Sequence, residues 1–299
     1  MSNPFRTAAP FLTVLFLPVC AMAQDKLEDG TTLSWTHEIA VAMDSLRADS
    51  LMLPAYTTTV WETRASETEG LLAKVIPTAK FKKSGDLLRA ENVIFPAGTA
   101  LPATLLARTV EDKKAGETKL QLALLRNGQA VAPEPATEAA VRDLSVRLNK
   151  AVVQQQIDGR KKLLEKSASK TESAVKSQDK TQGNLNKAQA ELEKIAKKKT
   201  ELQQEHNLLE KEIALDNERW NTSQDPKDLK KLTKSREKIA KNEGNLADLL
   251  KQETKTQGDI TKYSTALPDA AKAHEAKAAS QAEVQRAVDS LQHKLDSIQ

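Results

Sequence analysis

Residues able to do covalent or acid–base chemistry are sparse in this chain. It has one cysteine, Cys20, and four histidines, His37, His206, His274 and His293. None of the histidines falls in an HxH or HExxH spacing, and the chain contains neither a G-x-S-x-G elbow nor a phosphate-binding glycine loop. Carboxylates are abundant, but most alternate with lysines along helical stretches, where pairing on a solvated face is their ordinary role. These patterns point to a protein that is not an enzyme and that has no catalytic residue, metal site or cofactor.

The residues that could carry recognition chemistry lie elsewhere. Trp220 precedes a short polar stretch, 221–226, and a run of cations follows at Lys227, Lys230, Lys231 and Lys234. A tryptophan beside exposed positive charge is the composition of a protein-binding anchor, since tryptophan is enriched among binding hot spots. Trp220 also has a structural reading, as the aromatic that closes the last layer of a helix pair. The partner-binding expectation therefore rests on Trp220, Lys227, Lys230, Lys231 and Lys234 together.

The elements that position this cluster are long helices. Reading backward from Trp220, the set Asp216, Ile213, Leu209, His206, Leu202, Lys199, Ile195, Leu192, Ala188 and Leu185 steps by alternating four and three residues. That is a heptad seam. It continues in phase to Ile157 and Val153. A second seam runs from Leu232 through Ser235, Ile239, Asn242, Leu246 and Leu249 to Leu291, Leu295 and Ile298, with Lys277 among its members. Between them, Asp225 suits a helix N-cap, Pro226 the first helical position and Asp228 the positive end of the dipole. Folding back there sets Leu202 against Leu246, Leu185 against Tyr263 and Ile157 against Leu291. His206 then meets Asn242 as a polar layer. Residues 136–299 are thus expected to form an antiparallel coiled-coil hairpin with its tip near 221–227. Pro268 predicts a kink or break in the returning arm.

Ahead of the hairpin the pattern changes. Ile39, Met43, Leu46 and Leu53 recur at helical spacing, so 24–56 is expected to hold a short amphipathic helix over 34–52 that stops at Pro54. From 57 to 135 the period falls to two. Strands are predicted over 57–64, 71–76 and 87–95, followed by a hairpin in which Ala103, Leu105 and Ala107 answer Leu120, Leu122 and Leu124. Asn127-Gly128 supplies the positive φ angles of a further tight turn. A small barrel or sandwich of five or six strands is the economical arrangement. The fold class expected is mainly α: a long antiparallel coiled-coil hairpin preceded by a small β-rich module.

The first residues read as an export signal. Arg6 precedes an apolar run from Phe11 to Val19, and Ala21-Met22-Ala23 gives an A-x-A exit. The run is too short to span a bilayer. Cleavage after Ala23 would remove 1–23 and Cys20 with it, leaving no thiol for a disulfide or a nucleophile. Val19 stands where lipid attachment at Cys20 would want a small residue. The formal charge of the whole chain is +4 and falls to +3 without Arg6, and aromatics make up 3% of residues. Neither favours nucleic acid as a partner.

Residues 93–131 carry a resemblance. Val93-Ile94-Phe95-Pro96-Ala97-Gly98-Thr99, a strand ending Ala107-Arg108-Thr109, a Lys/Gly loop, the alternating leucines and Arg126-Asn127-Gly128-Gln129 resemble the FPAGT/IPAGT segment of β-rich bacterial envelope proteins. The TrbI-like barrel of type IV secretion cores belongs to that group. The glycine usual in the following strand is replaced, with Pro102 and Ala103 in that neighbourhood. The helical half is similar in outline to the hairpins of periplasmic adaptors and to the arms of jellyfish-shaped periplasmic chaperones, although in both families the hairpin is inserted rather than terminal. These likenesses imply the periplasm or cell envelope, with other envelope proteins and a second copy of the chain as partner classes. The reading they favour is a structural or adaptor scaffold. The alternatives are a holdase chaperone with helical arms and a β module that binds a small ligand or works as an enzyme.

Overall fold

The computed structural model describes residues 26–94 and 102–299. The expected export signal and cleavage site, Cys20 and residues 95–101, which hold the FPAGT stretch, lie outside the described residues. The chain divides into two units. The first holds the residues up to Gly159 together with Ala287–Gln299, and the second is Arg160–Arg286.

The first unit is built on one antiparallel sheet. Its strands are β1 (Val41–Ala48), β2 (Leu51–Trp61), β3 (Lys82–Ser84), β4 (Leu87–Val93), β5 (Ala103–Asp112), β6 (Glu117–Arg126) and β7 (Gln129–Ala130). The order is β1-β2-β6-β5-β4-β3, with β7 paired to β6. The β5–β6 hairpin and the Asn127-Gly128 turn are where alternation and turn chemistry put them, and Asn127 and Gly128 take φ of 54° and 79°. Among the described residues no ladder joins β1 to β3, so the sheet is open and neither a closed barrel nor a sandwich. It does coil: the Arg108 guanidinium on β5 donates to the carbonyl of Arg47 on β1 at 3.0 Å, although two strands separate them in the ladder. Leu46, Leu53, Ala55, Leu106 and Ala123 are buried together on one face of the sheet.

The helix expected over 34–52 is not formed. Met43, Leu46 and Leu53 instead belong to a hairpin, in which Leu46 and Leu53 are cross-strand partners and Met43 is left exposed, while Ile39 lies ahead of it. Asp49 makes the turn with a φ of 53°, a conformation that aspartate tolerates and a helix interior does not. Pro54 sits within β2 opposite Ser45, before the pairing of β2 with β6 starts at Tyr56, so its missing N–H breaks no ladder with β6.

The strand expected over 71–76 is also corrected. Residues 71–75 belong to helix α1 (Ala65–Val75), and Ile76 caps its C-terminus. Glu67 reaches back to accept the Arg64 N–H at 3.3 Å, and Leu71 and Leu72 turn into the core. The start signal was the acidic, Thr-rich stretch before the leucines, which a two-residue period does not register.

Helix α2 (Pro135–Ser223) begins against the other face of the sheet. Ala140, Val141, Leu144, Leu148 and Val152 pack with Tyr56, Val60, Leu105, Leu120 and Leu122. Polar stitches fix the register. Thr58 donates to the Ser145 hydroxyl at 2.7 Å, and Asn149 spans the end of β2 by accepting the Trp61 N–H at 2.9 Å and donating to the Thr59 carbonyl at 3.1 Å. Helix α3 (Pro226–Ser297) brings its last turns into the same unit. There Leu291 and Ile298 are buried with Ile39, Val153 and Ile157.

The second unit consists of the remaining lengths of α2 and α3. Bonds between them link Asp216 to Ser235, Leu202 to Asn242 and Lys199 to Glu253, so the helices run antiparallel. Leu185, Ala188, Ile195, Leu209, Leu232, Ser235, Asn242, Leu249 and Thr256 are buried, and the residues flanking each of them are exposed in nearly every case. Lys277 departs from this pattern: it is exposed, and Ala278 is the half-buried residue. Helix α3 runs unbroken through Pro268, without the break expected there.

Candidate docking face at the helix turn

Local capping shapes the end of the helix pair. Asp225 Oδ1 accepts the Lys227 N–H at 2.8 Å, as an N-cap should, and Pro226 occupies the first helical position. Ser223 Oγ accepts the Asp225 N–H at 3.1 Å and donates to Asp228 Oδ2 at 2.7 Å. That last bond, with Lys231 and Arg219 close by, holds the Asp228 carboxyl below its usual range. Gln224 takes a φ of 51° and donates its N–H to the Trp220 carbonyl at 2.9 Å, which turns the chain.

Among the residues expected to bind a partner, Trp220 is half-buried, in phase with Asp216 and Ile213. Lys227, Lys230, Lys231 and Lys234 are all exposed. The structure gathers only part of this set. Lys231 and Lys234 line a shallow cleft of about 360 Å³ with Leu215, Arg219, Ser235 and Lys238, whereas Trp220, Lys227 and Lys230 do not line it. Lys231 pairs with Asp228 at 3.4 Å and Lys238 with Glu212 at 3.7 Å.

Beneath the cleft Ser235 donates to Asp216 at 3.0 Å and to Glu212 at 3.2 Å, a polar layer inside the seam. Farther along, Asn242 Nδ2 donates to the Leu202 carbonyl and to Glu205, each at 3.2 Å. It does not bond His206, as the polar-layer expectation had it. His206 instead lies 3.5 Å from Glu210, one turn along its own helix.

Leu208, Leu215 and Lys238 were missed as members of this face. The signal was present in the sequence: Lys227, Lys231, Lys234, Lys238 and Lys241 step by four and three along one side of α3. Both leucines sit one residue before a seam position, outside the stripe that burial selects.

A second, larger cleft of about 730 Å³ lies in the first unit, lined among others by Thr32, His37, Trp61, Glu62, Glu111 and Gln156. Glu62 holds a φ of 54° and donates its N–H to the Gly116 carbonyl at 2.9 Å. Its carboxylate accepts from Lys294 Nζ at 2.8 and 2.7 Å, from Gln156 at 3.0 Å, and from the Thr32 hydroxyl. Burial works to raise the Glu62 pKa, but these bonds outweigh it and hold the carboxyl below its usual range. Burial lowers the Lys294 pKa in spite of Glu62. His37 stacks on Trp61 with ring centroids 4.0 Å apart and planes 6° apart, and its burial lowers its pKa. With its carboxylate so engaged, Glu62 is arranged as a fastening between α3, β2 and the 26–40 segment, with few lone pairs left for a ligand. Among the described residues no group of His, Cys, Asp or Glu is arranged to hold a metal ion, and no helix is long and apolar enough to cross a membrane.

No family model and no curated protein matches this chain.

Proposed function

We propose that the chain is an exported, non-enzymatic scaffold of the bacterial cell envelope. In this reading its α2–α3 pair forms an antiparallel coiled-coil hairpin that captures another envelope protein near the turn. The observation that carries the reading is the burial along both helices of the second unit. Residues at heptad positions other than Lys277 are withdrawn from solvent, while most intervening positions remain exposed and rich in charge. A helix pair of this kind has little interior to hold a substrate, so it works through its surface. Along most of that surface Lys and Glu alternate, and isolated exposed ion pairs contribute only about 0–1 kcal/mol each, which discriminates poorly between partners. Near the turn, Trp220 and the lysine cluster break the repetition.

The test is affinity capture from envelope extract, comparing the whole chain with a variant carrying Trp220→Ala, Lys230→Glu and Lys231→Glu. Recovery of partners should fall at least about tenfold, equivalent to 1.4 kcal/mol. Unchanged recovery by the folded variant rejects docking at the turn.

A further inference from the structure

We infer that the face formed by Leu208 and Leu215 of α2 and the lysine row of α3 binds an acidic amphipathic helix of a partner protein. The inference deepens the docking reading above by naming the chemistry of the occupant.

Leu208 and Leu215 are 66% and 56% exposed, well above what an apolar side chain in a finished helix pair needs. They are seven residues apart, so they sit two turns apart on one side of α2, about 10.5 Å along it. That spacing matches the a-to-a repeat of a third helix laid alongside, whose apolar residues would cover both leucines. Leu215 opens into the cleft that Lys231, Lys234 and Lys238 border from α3. Lys227 and Lys241 extend the same row in both directions. A helix seated on the leucines would therefore run its flank along the lysines, and complementarity requires that flank to carry Asp or Glu.

The acids already present decide against other anionic partners. Glu212 and Asp216 line the same cleft, and Glu212 pairs with Lys238. A sheet of lipid headgroups or a run of nucleic-acid phosphates would meet these carboxylates along with the lysines. A polypeptide can set its acids opposite Lys231 and Lys234 and leave neutral residues opposite Glu212. The apolar element is also narrow, two leucines in line, which suits one helix better than a bilayer surface.

The probes are synthetic helical peptides of about 21 residues, three heptads. Each has leucine at the seam positions, and the flanks are all Glu in one and all Lys in the other. Vesicles of phosphatidylglycerol form the third arm. The whole chain should bind the Glu peptide, with affinity that falls as salt rises, and should bind the Lys peptide at least about tenfold more weakly. Leu215→Gln combined with Lys234→Glu should weaken the Glu peptide at least about tenfold while helicity by circular dichroism is unchanged, because both side chains are exposed. Lys255→Glu with Lys262→Glu, farther along α3, should leave binding as it was. Equal binding of the two peptides, an unaffected Leu215/Lys234 variant, or capture of vesicles in place of peptide overturns the inference. The two proposals fail separately. Partner capture that depends on Trp220 without affinity for the Glu peptide rejects only the acidic helix, and capture indifferent to the Trp220 variant rejects docking at the turn.

Discussion

Lys294 donates to both carboxylate oxygens of Glu62, at 2.8 and 2.7 Å, across 232 positions of sequence. The Lys294 side chain is wholly buried and that of Glu62 is 17% exposed. Lys294 also donates to the Thr32 carbonyl at 2.8 Å and its hydroxyl at 2.9 Å. The end of α3, the end of β2 and the segment before β1 are therefore fastened at one nitrogen.

Removing one member of such a pair strands the other charge without a partner. Lys294→Met should destabilise the first unit by about 3 kcal/mol, and Glu62→Gln combined with Lys294→Met should recover part of that loss. Urea unfolding followed by tryptophan fluorescence, in a Trp220→Phe background so that Trp35 and Trp61 report, would read the difference. Equal stability of Lys294→Met and the wild type would mean that the pair fastens nothing.

The same pair predicts an acid limb. The Glu62 carboxyl is held below its usual value of 4.5, so its stabilising contribution is complete above that pH and is lost as pH falls through the lowered folded value. The first unit should weaken more steeply below pH 4.5 in the wild type than in the Glu62→Gln, Lys294→Met double variant. Parallel curves from pH-dependent unfolding of the two proteins would remove Glu62 from the account.

Legibility in the sequence followed the range of the interaction. The seams of α2 and α3 were readable because burial repeats every three or four residues, and a period survives local noise. The β5–β6 hairpin was readable for the same reason at period two. Ile39, Met43, Leu46 and Leu53 misled because four apolar residues sample a period too sparsely: Leu46 and Leu53 are claimed by the β1–β2 ladder and Ile39 by packing on α2 and α3, neither of which their spacing encodes. Leu71 and Leu72 misled through the opposite fault, since a short apolar run fits either element and its acidic helix start went unweighed. The Glu62–Lys294 fastening had no local signal at all. Lys294 stands one residue before seam position Leu295, in a helix full of lysines, and only the tertiary fold marks it out.

Pairing across the second unit can be read by crosslinking. Cysteines at Leu202 and Leu246 should join within one chain in high yield, and cysteines at Leu202 and Ile260 should not, because the Leu202 carbonyl accepts from Asn242, one turn from Leu246. Mass spectrometry of the oxidised, monomeric band gives the answer. Efficient Leu202–Ile260 joining would mean a register shifted by about two heptads and a fold-back point displaced by about one.

Asn242 bears on why the helices choose that pairing at all. Its Nδ2 donates twice across the seam, but its Oδ1 is buried without a hydrogen-bond partner. A buried acceptor left unpaired costs about 1–3 kcal/mol, so the layer is a poor source of stability. A heptad shift of one helix would carry Asn242 away from the Leu202 carbonyl and Glu205, and the loss of those bonds in a buried layer is the penalty by which a single seam asparagine selects one register. Replacing Asn242 with Leu should therefore have two opposed effects. Thermal stability of the second unit should rise by about 1 kcal/mol, as an apolar layer replaces an incompletely bonded one. Specificity should fall: the Leu202–Leu246 crosslink should lose yield to a Leu202–Ile239 crosslink, which reports a slip of one heptad. If Asn242→Leu raises stability and the crosslinks keep their wild-type pattern, the register is set by the capped turn at Asp225 and by the Asp216–Ser235 layer instead, and Asn242 is only a tolerated cost.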